Sequence, residues 1–422
     1  MKRLMKDCCL GTQMPYSYAP VTEFPLPEGY VPFYINYLGR HGGRYLDDPE
    51  GVEWLVTILQ CAYERQGLTL RGLELLSKIM SILEMYHDHY SNLSEEGVKM
   101  MEGIAHRMYL NYPQVFGKRI DAVATYKDRT IQSRDVFLKE LERFIDANTV
   151  YIHTNGQIDP KLRFFDLNQK YLSYKGEKAW KNKVAYLEPK YNESSKILER
   201  IFNRQLLRQN CLNQEEKNRF IWELFQIYTN QFDMNGVISL GYYFTPQEKY
   251  YYWERNNLKQ YFEMGPGAVG ECITTNIAFG LLIDFLKTSE EAILSRNQSA
   301  DLRFAHAETI IPFASLLGLC GMCEQTVSPY KVAVLWKNYM IAPMAANLQW
   351  IFYDQKRSSG KREQGVLVQQ KYNETSIPFP IPTTQYPYYQ WVDVKAYYQE
   401  ILNNLNLPRG KSLLEQVREY QS

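Results

Sequence analysis

Hydrophobic and polar positions repeat with two periods over residues 30–153. YVPFYINYL (30–38) concentrates β-branched and aromatic residues and runs into Gly39, which predicts a strand opening into a loop. GVEWLVTILQCAYERQ after Pro49, and LRGLELLSKIMSILEMYHDHY after it, carry apolar residues three and four apart, the spacing of one helix face. RIDAVAT, ending at Thr125, predicts a second strand, SRDVFLKELERFI a helix, and NTVYIHT a third strand. Strands alternating with helices predict a largely parallel sheet with helices on its faces. Ligands of such sheets sit outside the carboxyl ends of the strands, where residues 39–45 fall.

From about 160 to 295 the pattern changes to long, charged helical segments such as EEKNRFIWELFQIYTNQF, with few strand signals between them. LRFA then predicts a short strand, HAET its C-terminal loop, and the apolar run with Pro312 a helix. VLVQQKYNE reads as a late strand, VDVKAYYQEILNNL as a terminal helix, and IPFPIPTTQYPYYQW (377–391) as a surface loop. The expected fold is α/β, a mostly parallel central sheet flanked by helices. Residues 1–134 and 296–422 are expected to form that domain, and 135–295 a mostly helical inserted subdomain covering the cleft.

Composition narrows the function classes. A chain of 422 residues suits one large core with a second subdomain, and 23% charged against 45% hydrophobic residues places it among globular proteins. A net charge of +1 provides no global field toward nucleic acid or anionic membrane, although a local cationic pocket remains possible. No basic stripe interleaved with aromatics marks a nucleic-acid reader, and no apolar run is long enough to cross a bilayer. The N-terminus, MKRLMKDCCLGTQMPYSY, lacks the continuous apolar stretch of a signal peptide. Seven cysteines are too few and too irregular for a disulfide framework, and Cys320-Gly-Met-Cys323 reads as buried thiols with room for one disulfide. His87 and His89 read as surface residues, and no metal site is expected.

Three segments place ionisable groups directly after a strand: Arg40-His41-Gly42-Gly43-Arg44, Thr125-Tyr126-Lys127-Asp128-Arg129, and Arg303-Phe304-Ala305-His306-Ala307-Glu308. If their strands are neighbours, the loops converge at one edge. Arginines there suit bidentate grip of phosphate oxygens. A neutral imidazole can take a phosphoryl group covalently, and a carboxylic acid can protonate the leaving oxygen and later activate water. The bland alternative is a solvated loop with Arg40 and Arg44 paired to Asp47 and Asp48, and His306 as a helix cap.

GRHGGR resembles the RHGxR signature of the histidine phosphatase superfamily, and the HAE triplet at 306–308 resembles the form found in multiple inositol polyphosphate phosphatases. NLSEEGVKMMEGIAHRMYLNYPQVF, TYKDRTIQSRDVFLKEL and VLVQQKYNE extend the likeness over most of the chain. The resemblance implies a histidine acid phosphatase acting stepwise, without cofactor or metal, on inositol hexakisphosphate and lower inositol phosphates. It implies His41 as nucleophile, Arg40, Arg44, Arg129 and His306 as phosphate ligands, and Glu308 as the proton donor where related enzymes carry aspartate. Lys127 is then a candidate for a second substrate phosphate, as are Lys178, Lys181 and Lys183 of the helical segment; Arg134 departs from the family pattern and faces either solvent or pocket. The resemblance implies the periplasm or the outside of the cell, with the cytoplasm as the alternative; a monomer is expected, with no nucleic-acid partner and no stable membrane insertion. The rival readings are a less selective acid phosphatase and a polyanion-binding protein without turnover.

Overall fold

The computed structural model describes residues 8–20, 24–177, 180–187, 194–209, 211–234, 238–355 and 365–421. β1 (Tyr30–Arg40), β2 (Arg119–Ala124), β3 (Val150–Thr154) and β4 (Gln298–Ala305) form the parallel half of an eight-stranded sheet. β5 (Asn347–Gln355), β6 (Leu367–Tyr372), β7 (Thr375–Ser376) and β8 (Tyr388–Gln390) extend it with antiparallel pairings. The order is β3-β2-β4-β1-β5-β6-β7, and β8 also pairs with β6.

Both faces of the sheet are covered, which is why β1 reads as a nearly continuous apolar run. Tyr34 and Leu38 point to one face with Trp350 and Phe352 of β5; Ile35 and Tyr37 alternate to the other with Ile351. β5 is the strand that the sequence pattern leaves unassigned, because its buried run LQWIFY has no polar alternation to mark it. Its presence makes the sheet mixed rather than mostly parallel. The expected surface loop at 377–391 is likewise partly core: Phe379, Tyr388 and Tyr389 are buried and β8 joins the sheet.

Helices α1 (Glu50–Glu64), α2 (Leu70–Tyr86), α3 (Glu95–Asn111) and α4 (Asp128–Leu141) follow the 3.6-residue pattern. α1 buries Val52, Leu55, Val56, Leu59 and Ala62, while the Thr69 and Ser94 side chains cap α2 and α3. α3 and α4 cover one sheet face; helices Phe279–Ser295, Ala307–Leu316 and Trp391–Asn404 cover the other. α1 and α2 instead share a third core with helices Gln214–Thr229 and Pro246–Glu263, a core without sheet residues. The expected boundary at 134/135 therefore does not hold: it falls within α4, and β3 beyond it pairs with β2. Burying the amphipathic faces of α1 and α2 requires the later helices, so the helical layer draws on both stretches of chain.

The register sets the site. Arg40 on β1 pairs with Ala305 on β4, and Ala124 on β2 pairs with Phe304, so three adjacent parallel strands end level with one another. Cys320 and Cys323 are free thiols, the first exposed, which corrects their expected burial; their loop follows a helix that is itself buried.

Candidate active site

The loops after β1, β2 and β4 leave the same sheet edge side by side, and α4 and the helix beginning at Ala307 turn their N-termini toward it. Helix N-termini carry partial positive charge and unpaired N–H groups, a setting that favours an anion. The β1 loop is held tightly by main-chain bonds: His41 N–H donates to Ala305 O (3.0 Å), Arg40 N–H to Ala346 O (2.8 Å), and Ala345 N–H to His41 O (2.9 Å). Gly42 N–H donates to Ser133 Oγ (3.1 Å) on α4. A Cβ on Gly42 would meet Gly97 O at 2.6 Å, so only glycine admits the close approach of α3.

His41 is 3% exposed. Its Nδ1 lies 2.9 Å from Gly42 O; a carbonyl only accepts, so Nδ1 carries the proton and the Nε2 lone pair is left free. Burial, then the charges of Arg40, Arg129 and Arg44, push its pKa well below the usual histidine range. The imidazole is therefore neutral in a cationic setting, with a lone pair that chemistry at phosphorus could use.

Arg40, also 3% exposed, donates to Thr12 O and to Ala342 O (2.7 Å). Burial and the neighbouring Arg44 lower its pKa to about 9, and burial and Arg44 also lower that of Arg129. Arg44 donates to Tyr45 O (2.9 Å) and Asp47 (2.8 Å), and Arg129 to Ser91 Oγ (2.9 Å), with Asp47 3.4 Å away. The Asp47 pairing matches the bland alternative, but the buried loop does not. The Nε–H groups of Arg40, Arg44, Arg129 and Arg163 are all buried without an acceptor among the described residues. Buried donors left unpaired are costly, and four of them on mutually repelling cations suit an anion with several oxygens.

His306 caps the helix Ala307–Leu316 by position, but its ring serves the site. Nε2 lies 2.8 Å from Thr125 Oγ1 and 3.0 Å from Arg163 Nη1. A guanidinium only donates, so Nε2 accepts and Nδ1 bears the proton. The rings of His306 and His41 are 5.8 Å apart at 66°. Burial, then Arg129 and Arg163, push the His306 pKa well below the usual range. Glu308, in the first turn of the same helix, lies within electrostatic reach of Arg40 and Arg129, and its carboxylate accepts no hydrogen bond among the described residues.

The remaining sequence candidates divide. Lys127 Nζ sits 4.8 Å from the centre of the Tyr126 ring, and the Arg163 guanidinium 4.9 Å from that same ring, which places the lysine at the rim of the cluster. Arg134 is turned away: buried, it donates to His153 O (2.6 Å) and Thr154 Oγ1 (2.8 Å) and ties α4 to β3. Lys183 Nζ lies 5.0 Å over the Phe262 ring and Lys181 is exposed; no hydrogen bond or ion pair joins either to the strand-end loops among the described residues. Lys178 lies outside the described residues. Arg163 was not anticipated. Its signal was an arginine inside the otherwise apolar run Leu162–Phe165, within a segment read only as helical. Asp233, buried behind Gly43, was missed as well.

No protein-family model matches the chain. It is 25% identical over 417 residues to multiple inositol polyphosphate phosphatase 1 of Homo sapiens, covering 92% of this chain and 83% of the relative. Against the Gallus gallus protein of the same name it is 26% identical over 333 residues, covering 76% and 71%. The crystal structure of Bifidobacterium longum multiple inositol polyphosphate phosphatase in complex with inositol hexasulfate superposes with a TM-score of 0.80 at 21% identity, covering 92% of this chain and 97% of that one. Similarity along nearly the whole chain and the shared fold make this protein a homologue of proteins named multiple inositol polyphosphate phosphatase, consistent with the histidine acid phosphatase branch.

Proposed function

We propose that this enzyme removes phosphates stepwise from inositol hexakisphosphate and lower inositol polyphosphates through a phosphohistidine at His41. The observation that carries the reading is a neutral, buried His41 with its Nε2 unprotonated, set among four guanidinium groups whose Nε–H donors lack acceptors among the described residues. Arg40, Arg44, Arg129 and His306 hold the non-bridging oxygens of the scissile phosphate, and Arg163 extends the clamp. His41 Nε2 attacks phosphorus as the ester P–O bond breaks, and the leaving alkoxide takes a proton from Glu308. Gly42 O accepts a hydrogen bond from Nδ1–H throughout and so stabilises the charge that develops on the ring. Water then attacks phosphorus, Glu308 accepts its proton, and the N–P bond breaks to release inorganic phosphate and neutral His41. The arginines stabilise the transferring group at each displacement.

The substrate class follows the relatives, and the charge supports it: the guanidinium groups and Lys127 exceed what one phosphate dianion neutralises. We place the reaction in the periplasm or outside the cell, which phytate-degrading activity in periplasmic and culture fractions would reveal. The decisive test is a product time course on inositol hexakisphosphate, resolved by anion exchange without added metal. Stepwise lower phosphates are expected from the native enzyme and none from His41→Ala. Turnover of phenyl phosphate alone would keep the chemistry and overturn the substrate; tight binding without release from either would overturn the enzyme.

A further inference from the structure

Behind the phosphate loop lies a carboxyl that the reaction above does not use. Asp233 follows helix Gln214–Thr229, whose buried side chains lie in the core without sheet residues, yet it is 2% exposed and packed against Gly43. Ser94 Oγ donates to its Oδ1 (2.5 Å) and Asn230 Nδ2 to its Oδ2 (3.1 Å). Each donor has a second task at the loop. Ser94 N–H donates to Gly43 O (2.9 Å) while its Oγ accepts from Gly97 N–H (3.0 Å) at the start of α3. Asn230 Nδ2 also donates to Arg44 O (2.8 Å), and Tyr86 OH fixes Asn230 by donating to its Oδ1 (2.7 Å). The backbone between nucleophile and second arginine is thus gripped from the rear by two residues anchored on one acidic side chain, which also faces the charges of Arg44 and Arg40.

We propose that Asp233 is a positioning residue for the phosphate loop: its carboxyl, through Ser94 and Asn230, fixes the Gly43–Arg44 backbone against the N-terminus of α3, and so sets Arg44 relative to His41. The assignment rests on the phosphatase reading above. A purely architectural contact would not call for a carboxyl, since burying one is costly. The position of Gly43 shows that the fit is specific: a Cβ there would lie 3.1 Å from Ser94 Oγ and run into Asp233 Oδ1.

The test is steady-state kinetics of the full-length enzyme, Asp233→Asn and Asp233→Ala on inositol hexakisphosphate and phenyl phosphate, with melting curves of each. Asp233→Asn keeps the shape and one acceptor oxygen and is expected to remain folded at the assay temperature. Its kcat is expected to fall about 10- to 100-fold on both substrates with KM within about threefold, the cost of a clamp misplaced by a fraction of an ångström. Asp233→Ala is expected to lose more. A folded Asn variant with native kcat would overturn the proposal, as would losses in both variants that merely track the fraction unfolded. If the native enzyme itself releases no phosphate, the functional reading fails, and the proposal fails with it.

Discussion

At the scale of single residues, the site keeps its imidazoles neutral by burial and by cationic neighbours. In the unfolded chain both histidines titrate near about 6.5. Their folded pKa values lie below that, so acidification protonates the unfolded state first; stability is fully present above about pH 6.5 and declines below it. Asp233 acts in the opposite sense, because burial pushes its folded pKa up to about 7 and the folded state takes that proton first. Comparison of variants separates the two: the fall in melting temperature between pH 7 and 5 is expected to be smaller in His41→Ala than in the native enzyme. The same displacement keeps the His41 Nε2 lone pair available under acid conditions. Glu308 makes a second residue-level case. If Glu308 is the proton donor, as proposed, its extra methylene relative to aspartate extends the carboxyl from the first turn of its helix and would widen the leaving oxygens it serves. Glu308→Asp is expected to retain turnover and change the order of isomers released, and an unchanged isomer profile would rule this out.

Elements meet at this site with little tolerance. α3 abuts the phosphate loop backbone to backbone, because Gly97 faces Gly42 and Gly43; a Cβ on Gly97 would run into Gly43 O. No flexible side chain can yield there, so Gly97→Ala is expected to destabilise by about 2–3 kcal/mol, the upper part of the range for overpacking. It is also expected to lower kcat, since the displaced loop carries His41 and Arg44; urea unfolding and kinetics on the same preparation would measure both. Ser94 ahead of two glutamates is a local capping signal for α3. That the same hydroxyl donates to a carboxyl 139 residues away is not a local signal, because local pattern is silent on what a cap touches beyond its own helix.

Across the whole molecule, the cationic field is local. With a net charge of +1, attraction of substrate falls on this proposed reading to the strand-end cluster, so added salt should matter in proportion to the charge on the ester. Raising salt from about 50 to about 500 mM is expected to increase KM for inositol hexakisphosphate several-fold more than for phenyl phosphate; equal shifts would argue against a multiply charged clamp. Read alone, the amino-acid order already marks the strand-loop-helix units and nominates His41, Arg40, Arg44, Arg129, His306 and Glu308, because strand runs, helix starts and the RHGxR and HAE motifs are contiguous patterns. Tertiary structure alone decided that β2, β4 and β1 end level, which brings the three loops together; register depends on pairing between distant segments. It decided that β5 makes the sheet mixed, that Arg134 is spent on β3, and that Arg163 and Asp233 reach the loop from the segment read as a helical insertion. Those assignments rest on which buried group can find a partner across the core, a condition that only the folded chain imposes.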